Sequence, residues 1–338
     1  MKLSILDQSI MPYGETPENT LAWTGEYARI AEELGYHRFW VSEHHGTKHI
    51  AGSAPEVLIA HLAARTTRMK IGSGAVLLPH YSAFKVAEVF EVLASLYKDR
   101  IDLGLGRAPG AMPNVTRALH EGGSRNAARY PGQLKELLTF LSPEGNKYEG
   151  LYDYAPVTPR AEVKPAVWIL GSSRDSAKTA AENGLPFCFA HFINPDEGFQ
   201  AADYYHEHFQ PSDICPAPYF MLAVWALAAE SEQQAEEWRA VGDYVSSVTA
   251  KGLGLLGIPS YEMIKDVTYM DEEKDMFQKN RYHNAVGTTD QVEEKLKWLE
   301  KAYGAEEIMT VGFTPSFEEK AASMRRIANR FKISSRQV

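Results

Sequence analysis

At 338 residues the chain could form two average domains or one large α/β domain. Its 44% hydrophobic and 23% charged content is that of a globular protein with a sizeable core and excludes a disordered chain. A formal net charge of -9 argues against nonspecific nucleic-acid binding, and no window reaches membrane-spanning length, so a cytoplasmic protein without nucleic-acid or membrane partners is expected.

Lys2 to Gln8 is predicted to be a short apolar strand, and the spacing of Leu21, Trp23, Tyr27, Ile30 and Ala31 predicts a helix over 18–34 closed by Gly35. Phe39, Trp40 and Val41 form a second strand that stops abruptly at Glu43, His44 and His45. Ser53, Pro55 and Glu56 read as the start of the next helix, with Ser53 as its cap. A third strand spans 69–78 and contains Gly72 and Gly74; a helix over 83–97 and a fourth strand, RIDLGLG at 100–106, follow. The second half repeats the beat less regularly. Helical spacing over 133–141 precedes a polar insertion at 142–164, and further strands are predicted at 166–170, 187–192, 219–229 and 307–311. Helices are expected through Asn183, from Pro195, over 231–248, from Thr289 and over 318–331, while 251–282 has weak periodicity and reads as a second insertion or lid. Eight strands alternating with helices, with no linker, predict a single (β/α)8 TIM barrel over 1–338 rather than a doubly wound open sheet.

In such a barrel the ligand site lies at the carboxyl ends of the strands, which singles out several groups. Gly104-Leu105-Gly106 is no dinucleotide fingerprint, because Pro109 replaces its third glycine and Pro113 disfavours a helix opening there. Arg107, a permanent cation at a strand end, can meet a phosphate or pair with Glu43. His44, His45 and His49 lack the partner cluster a zinc site needs; one of the adjacent pair suits acid/base chemistry while the other packs, or both are structural. Gly171-Ser172-Ser173, with Ser176 one turn on, outlines an anion site at a helix start, or an ordinary N-cap. Arg125 and Arg129 fall in a basic stretch of the kind that is usually solvated. Cys188 and Cys215 form no C-x-x-C pair, so neither a disulfide nor a zinc knuckle is expected.

The EHH strand end, GSGAVLLP, RIDLGLGRAPG and LGSSRDSAKTAAENGLPF, in this order and spacing, resemble the bacterial luciferase-like flavin-dependent monooxygenases, in their single-chain oxidoreductase branch. The resemblance implies a barrel binding reduced FMN at its strand ends and activating O2 there to oxidise a small organic substrate. It implies His44 as the catalytic histidine, a cis peptide at Gly74–Ala75 against the flavin ring, a flavin contact from Arg107, and phosphate contacts from Ser173 and Ser176. Arg125 aligns with a phosphate-binding arginine if the intervening loop carries no gap. Gly106 stands where luciferase has a reactive cysteine. With no NAD(P)H motif in view, reduced flavin is expected from a separate reductase, and a homodimer is expected through the apolar helix 55–64. An F420-dependent oxidoreductase and a non-catalytic flavin-binding protein are the alternatives.

Overall fold

The computed structural model describes residues 1–142 and 155–333. Its ten strands are β1 (Lys2–Asp7), β2 (Arg38–Val41), β3 (Lys70–Ser73), β4 (Val76–Leu77), β5 (Ile101–Gly106), β6 (Ala166–Gly171), β7 (Phe187–Ala190), β8 (Phe220–Ala229), β9 (Ala285–Thr288) and β10 (Glu307–Val311). All pair in parallel, and β10 hydrogen-bonds both β1 and β8, so the sheet closes on itself. With β3 and β4 as one broken stave, the result is an eight-stave α/β TIM barrel. The expected third strand is interrupted by the cis Gly74–Ala75 peptide. The strand β9, absent from the sequence reading, extends the far half of β8 outside the barrel.

Around the barrel run α1 (Pro17–Leu34), α2 (Pro55–Arg65), α3 (Ala83–Leu96), α4 (Pro113–Leu119), α5 (Tyr130–Leu141) and α6 (Arg174–Glu182). The remainder are α7 (Gly198–His208), α8 (Glu232–Ala250), α9 (Tyr261–Ile264), α10 (Asp271–His283), α11 (Thr289–Tyr303) and α12 (Phe317–Phe331). Two of the helix starts differ from expectation. Ser53 does not cap α2, whose N-cap is Ala54 with no side-chain bond, so the start rests on Pro55 and its preset φ. Pro113 opens a helix rather than preventing one, because the first helical position needs no N–H bond.

Two apolar layers hold the fold. The outer one packs helices on staves through side chains such as Phe39, Leu62, Phe90 and Leu103; the inner one fills the barrel with Trp40, Trp168, Cys188, Met221 and Met309. At the amino-terminal end of the barrel, Arg38 bridges Asp102 at 2.7 Å and Glu307 at 2.9 Å across three staves. All three charges are buried, so their mutual pairing and the stacking of Arg38 on Trp168 are what make the arrangement tolerable. Packed side chains at one end leave the opposite, carboxyl end free to carry a site.

The two expected insertions fare differently. Most of 142–164 lies outside the described residues, although Glu91 of α3 anchors its end by accepting the Ala161 N–H and pairing with Lys164 at 2.6 Å. The segment 251–282 is helical in part and packed: Ile258, Ile264 and Phe277 are buried, and Ile258 exchanges backbone hydrogen bonds with Met11 and Tyr13, each at 2.8 Å. Its weak periodicity has a simple origin, since α10 buries only Glu273 and Phe277.

Candidate functional site

The carboxyl ends of the staves surround a pocket of about 480 Å³. Glu43 and His44 reach it from the end of β2, Gly74 and Ala75 from the β3–β4 break, and Gly106 and Arg107 from the end of β5. Gly171, Ser172, Ser173 and Ser176 line it from the end of β6 and the first turn of α6. Glu43, His44, Gly74, Ala75, Gly106, Arg107, Gly171, Ser172, Ser173 and Ser176 therefore face one cavity, although they span more than 130 positions of chain, whereas His45, His49 and Arg129 do not line it.

One end of the pocket gathers two arginines and the hydroxyls of a helix start. Arg107 is half exposed and its nearest acid is Asp175, 3.9 Å away, so the alternative pairing with Glu43 does not form. Arg125 is half-buried rather than solvated: it donates to the Arg107 carbonyl, and its Nε is buried with no partner among the described residues. Burial, with Arg107 beside it, lowers the affinity of the Arg125 guanidinium for its proton, as expected for a cation lacking an opposing charge. Across the cavity Ser173 caps α6, accepting the Ser176 N–H at 3.3 Å, and its hydroxyl lies 3.2 Å from that of Ser176. Capping thus accounts for Ser173 but leaves the Ser172 side chain without a hydrogen bond among the described residues. Gly171 is required by this geometry, since a Cβ there would overlap the Ser176 side chain.

At the other end sits His44. Gln8, at the end of β1, places Nε2 3.2 Å from His44 Nε2, and the His44 backbone N–H donates to Gly52. Burial, then the neighbouring His45 and His49, push the His44 imidazole down to about 4, so it is neutral near pH 7. Its neighbour His45 turns away from the pocket and lies 2.7 Å from Glu43 Oε1. Glu43 is 3% exposed, and its carboxylate also accepts the Tyr81 hydroxyl at 2.8 Å and the Leu77 N–H at 2.9 Å. Its part is to fix the loop that follows the cis peptide. Between the two ends the floor is apolar, made by Leu6, Ala75, Cys188 and Ala223. Burial pushes the Cys188 thiol up, which leaves it a packing group.

Sequence reasoning missed Gln8 as a partner of His44 and left Arg125 open. The position of Gln8 at a strand's carboxyl end was the available signal, whereas nothing local marks Arg125 apart from its neighbour Arg129. Among the described residues no group of three or more His, Cys, Asp or Glu side chains is arranged to hold a metal ion, and no helix is long and apolar enough to cross a membrane.

Comparison with known proteins bears on the family and the fold. The family model for the luciferase-like monooxygenases matches residues 1–306. The uncharacterized protein YwcH of Bacillus subtilis (strain 168) is 47% identical over 334 residues, 98% of this chain and 99% of that protein. The N-acetyl-S-alkylcysteine monooxygenase of the same strain is 42% identical over 241 residues, 70% of each chain. Among solved structures, apo-MsnO8 is 35% identical with a TM-score of 0.90, covering 98% of this chain and 99% of that one. Two more distant structures share the fold. The oxygenating constituent of 3,6-diketocamphane monooxygenase from Pseudomonas putida, in complex with FMN, is 20% identical with a TM-score of 0.66, over 97% of this chain and 96% of that one. An F420-dependent secondary alcohol dehydrogenase is 13% identical with a TM-score of 0.63, over 97% of this chain and 98% of that one. On the family match and the near full-length relatives, this chain belongs to the luciferase-like monooxygenase family and is an oxidoreductase.

Proposed function

We propose that this protein is the oxygenase of a two-component system, which takes FMN already reduced by a separate reductase and uses it with O2 to oxygenate a small organic substrate. The observation that carries the reading is the polarity of the pocket: two arginines and the serines of a helix start at one end, an apolar floor, and a buried neutral histidine at the other. A phosphate tail and a flat ring system need those environments in that order. The Nε of Arg125, buried with no partner among the described residues, supports the fit, since an anionic oxygen would satisfy it. The description of the diketocamphane structure as an oxygenating constituent in complex with FMN supports both cofactor and arrangement.

In this reading Arg107, Arg125, Ser172, Ser173 and Ser176 hold the phosphate, while Gly74, Ala75 and Gly106 bring backbone close to the ring. Reduced FMN, when bound, supplies the two electrons with which O2 is split between one atom in the product and one in water. His44 acts as acid/base: with Gln8 donating to Nε2, its proton rests on Nδ1, and a shift of that bond frees the Nε2 lone pair to take a proton, which it can later return. Glu43, through Leu77 and Tyr81, keeps the ring-facing segment in place, and the apolar floor keeps water away.

Anaerobic titration of the purified chain with reduced FMN and with reduced F420 tests the cofactor, and admission of isotopically labelled O2 in the presence of candidate substrates tests the oxygenation. Tight binding of F420 alone, or label that appears only in water and peroxide, would overturn the reading. A cytoplasmic homodimer completes it: α2 leaves Val57 63% exposed and α3 leaves Leu96 64% exposed, apolar side chains that a second copy would cover. Light scattering at micromolar concentration checks this, and a monomer would remove the dimer from the proposal.

A further inference from the structure

We infer that a second compartment, walled by α8 and α10 and adjoining the His44 pocket along Phe192 and Ile193, seats an uncharged amide end of the organic substrate. The assignment rests on the reading of the His44 pocket as the flavin site, because it places the oxidised end of the substrate there and the remainder next door. The compartment has a volume of about 420 Å³, enough for several non-hydrogen atoms beyond what the flavin pocket holds, and Phe192 and Ile193 belong to the walls of both.

Its chemistry favours a neutral ligand over an anion. Arg281 is already engaged by Asp243, at 2.6 and 3.0 Å, and by Glu236 at 2.7 Å. Arg239 is held by Glu232, Glu236 and the Val286 carbonyl. A carboxylate or phosphate entering here would meet cations whose charge is spent. The polar groups left over are uncharged. The side chains of Ser246, Thr249, Asn280 and Asn284 have no hydrogen-bond partner among the described residues, and all four line the compartment. His191 is 2% exposed, and its Nδ1 is buried with no partner among the described residues, whereas a buried ring nitrogen is ordinarily hydrogen-bonded. Burial, with His283 and Lys295 nearby, holds His191 neutral, so its ring has one donor and one acceptor to offer. Side chains that each both donate and accept are complementary to a carboxamide, which does the same. Trp225 and Phe313, with ring centroids 4.5 Å apart, and Trp238 supply apolar surface for the carbon skeleton.

A glycine keeps the space open. Gly242 lies in the middle of α8, where glycine weakens a helix relative to alanine, and a Cβ built there meets no atom within 4 Å. A larger side chain at this position would leave the helix from an unobstructed Cβ and extend into the compartment that Gly242 lines, and would favour helix formation.

The test uses the full-length chain without flavin and N-acetylmethioninamide, a neutral thioether with two amide groups, titrated by tryptophan fluorescence and by calorimetry. Saturable quenching is expected, because Trp225 and Trp238 face the compartment. Gly242→Phe should weaken the probe by roughly tenfold or more while leaving FMN uptake as in the parent. Asn280→Leu, a second variant that removes one free amide, should weaken it several-fold. N-acetylmethionine, which replaces one amide by a carboxylate, should bind less tightly. Absence of saturable binding, equal affinity in Gly242→Phe with its circular dichroism unchanged, or tighter binding of the carboxylate would each overturn the inference. FMN uptake is measured separately, so loss of FMN binding with the amide still bound would sink the flavin reading and uphold the compartment.

Discussion

Oε2 of Glu43 accepts the backbone N–H of Leu77 at 2.9 Å, tying the end of β2 to the segment that follows the cis Gly74–Ala75 peptide. The carboxylate is buried and accepts from Tyr81 and His45 as well, so both of its oxygens are engaged. Glu43→Gln would put an amide N–H against one of these donors. A loss of about 1 to 3 kcal/mol in stability is expected, measured by urea unfolding. Because the change disturbs the end of the pocket proposed to meet the ring, FMN and riboflavin should weaken alike; an effect confined to FMN would show that Glu43 acts at the proposed phosphate end instead.

The end proposed to hold the phosphate should behave in the opposite way. Arg125→Ala, or Ser173→Ala with Ser176→Ala, is expected to weaken FMN more than riboflavin, by about 1 to 2 kcal/mol for hydrogen bonds to a charged group. Ser173→Ala also removes the α6 cap, which costs about 1 kcal/mol of stability, so the ratio of the two affinities is the proper readout. Equal weakening of both ligands would move the phosphate elsewhere.

Acid should destabilise the fold in a defined window. The imidazoles of His44 and His191 ordinarily take up a proton near 6.5, but in the folded chain burial delays this to about 4. Between those values the unfolded chain binds protons that the folded one does not, so their contribution is complete above about 6.5, is lost as the pH falls, and levels off below about 4. Each histidine should account for about 1 to 3 kcal/mol, discounted for the partial exposure of His44. Urea midpoints at closely spaced pH values give the slope. His44→Gln and His191→Gln should each flatten it, and a slope unchanged in both variants would place the acid sensitivity in other groups.

The segment 251–282 is expected to shield the site while being part of the fold. Ile258→Ala, at a position 1% exposed, should cost about 2 to 4 kcal/mol and loosen the bonds to Met11 and Tyr13 next to the Gln8–His44 pair. Hydrogen peroxide released per product formed should then rise, as water gains access. Replacing 252–282 by a short link should lower the thermal midpoint sharply, since buried Ile258, Ile264 and Phe277 leave with it. Normal coupling in Ile258→Ala, with the destabilisation present, would show that the segment shields nothing.

Much of this architecture is written locally in the chain. Alternation of apolar runs with helical spacing marks each stave, because burial on both faces demands continuous runs such as Phe39–Val41 and Phe220–Ala229, whereas a helix needs one stripe. The rule that ligands meet parallel strands at their carboxyl ends then singles out His44, Arg107 and Ser173 without knowledge of which staves are neighbours. What only the tertiary structure decided is relative position. Closure of β10 onto β1 and β8 brings residues 43, 74, 107 and 171 to one cavity, and no local pattern encodes that closure. The partner of Arg107 depended on geometry between segments: Glu43 was already satisfied by Leu77, Tyr81 and His45, which left Arg107 facing Asp175. Arg125 entered the site because its loop folds back to the Arg107 carbonyl, a long-range contact with no sequence signature. The helix α10 and strand β9 escaped notice for a related reason, since each buries few residues and owes its place to α8 and β8, against which it packs.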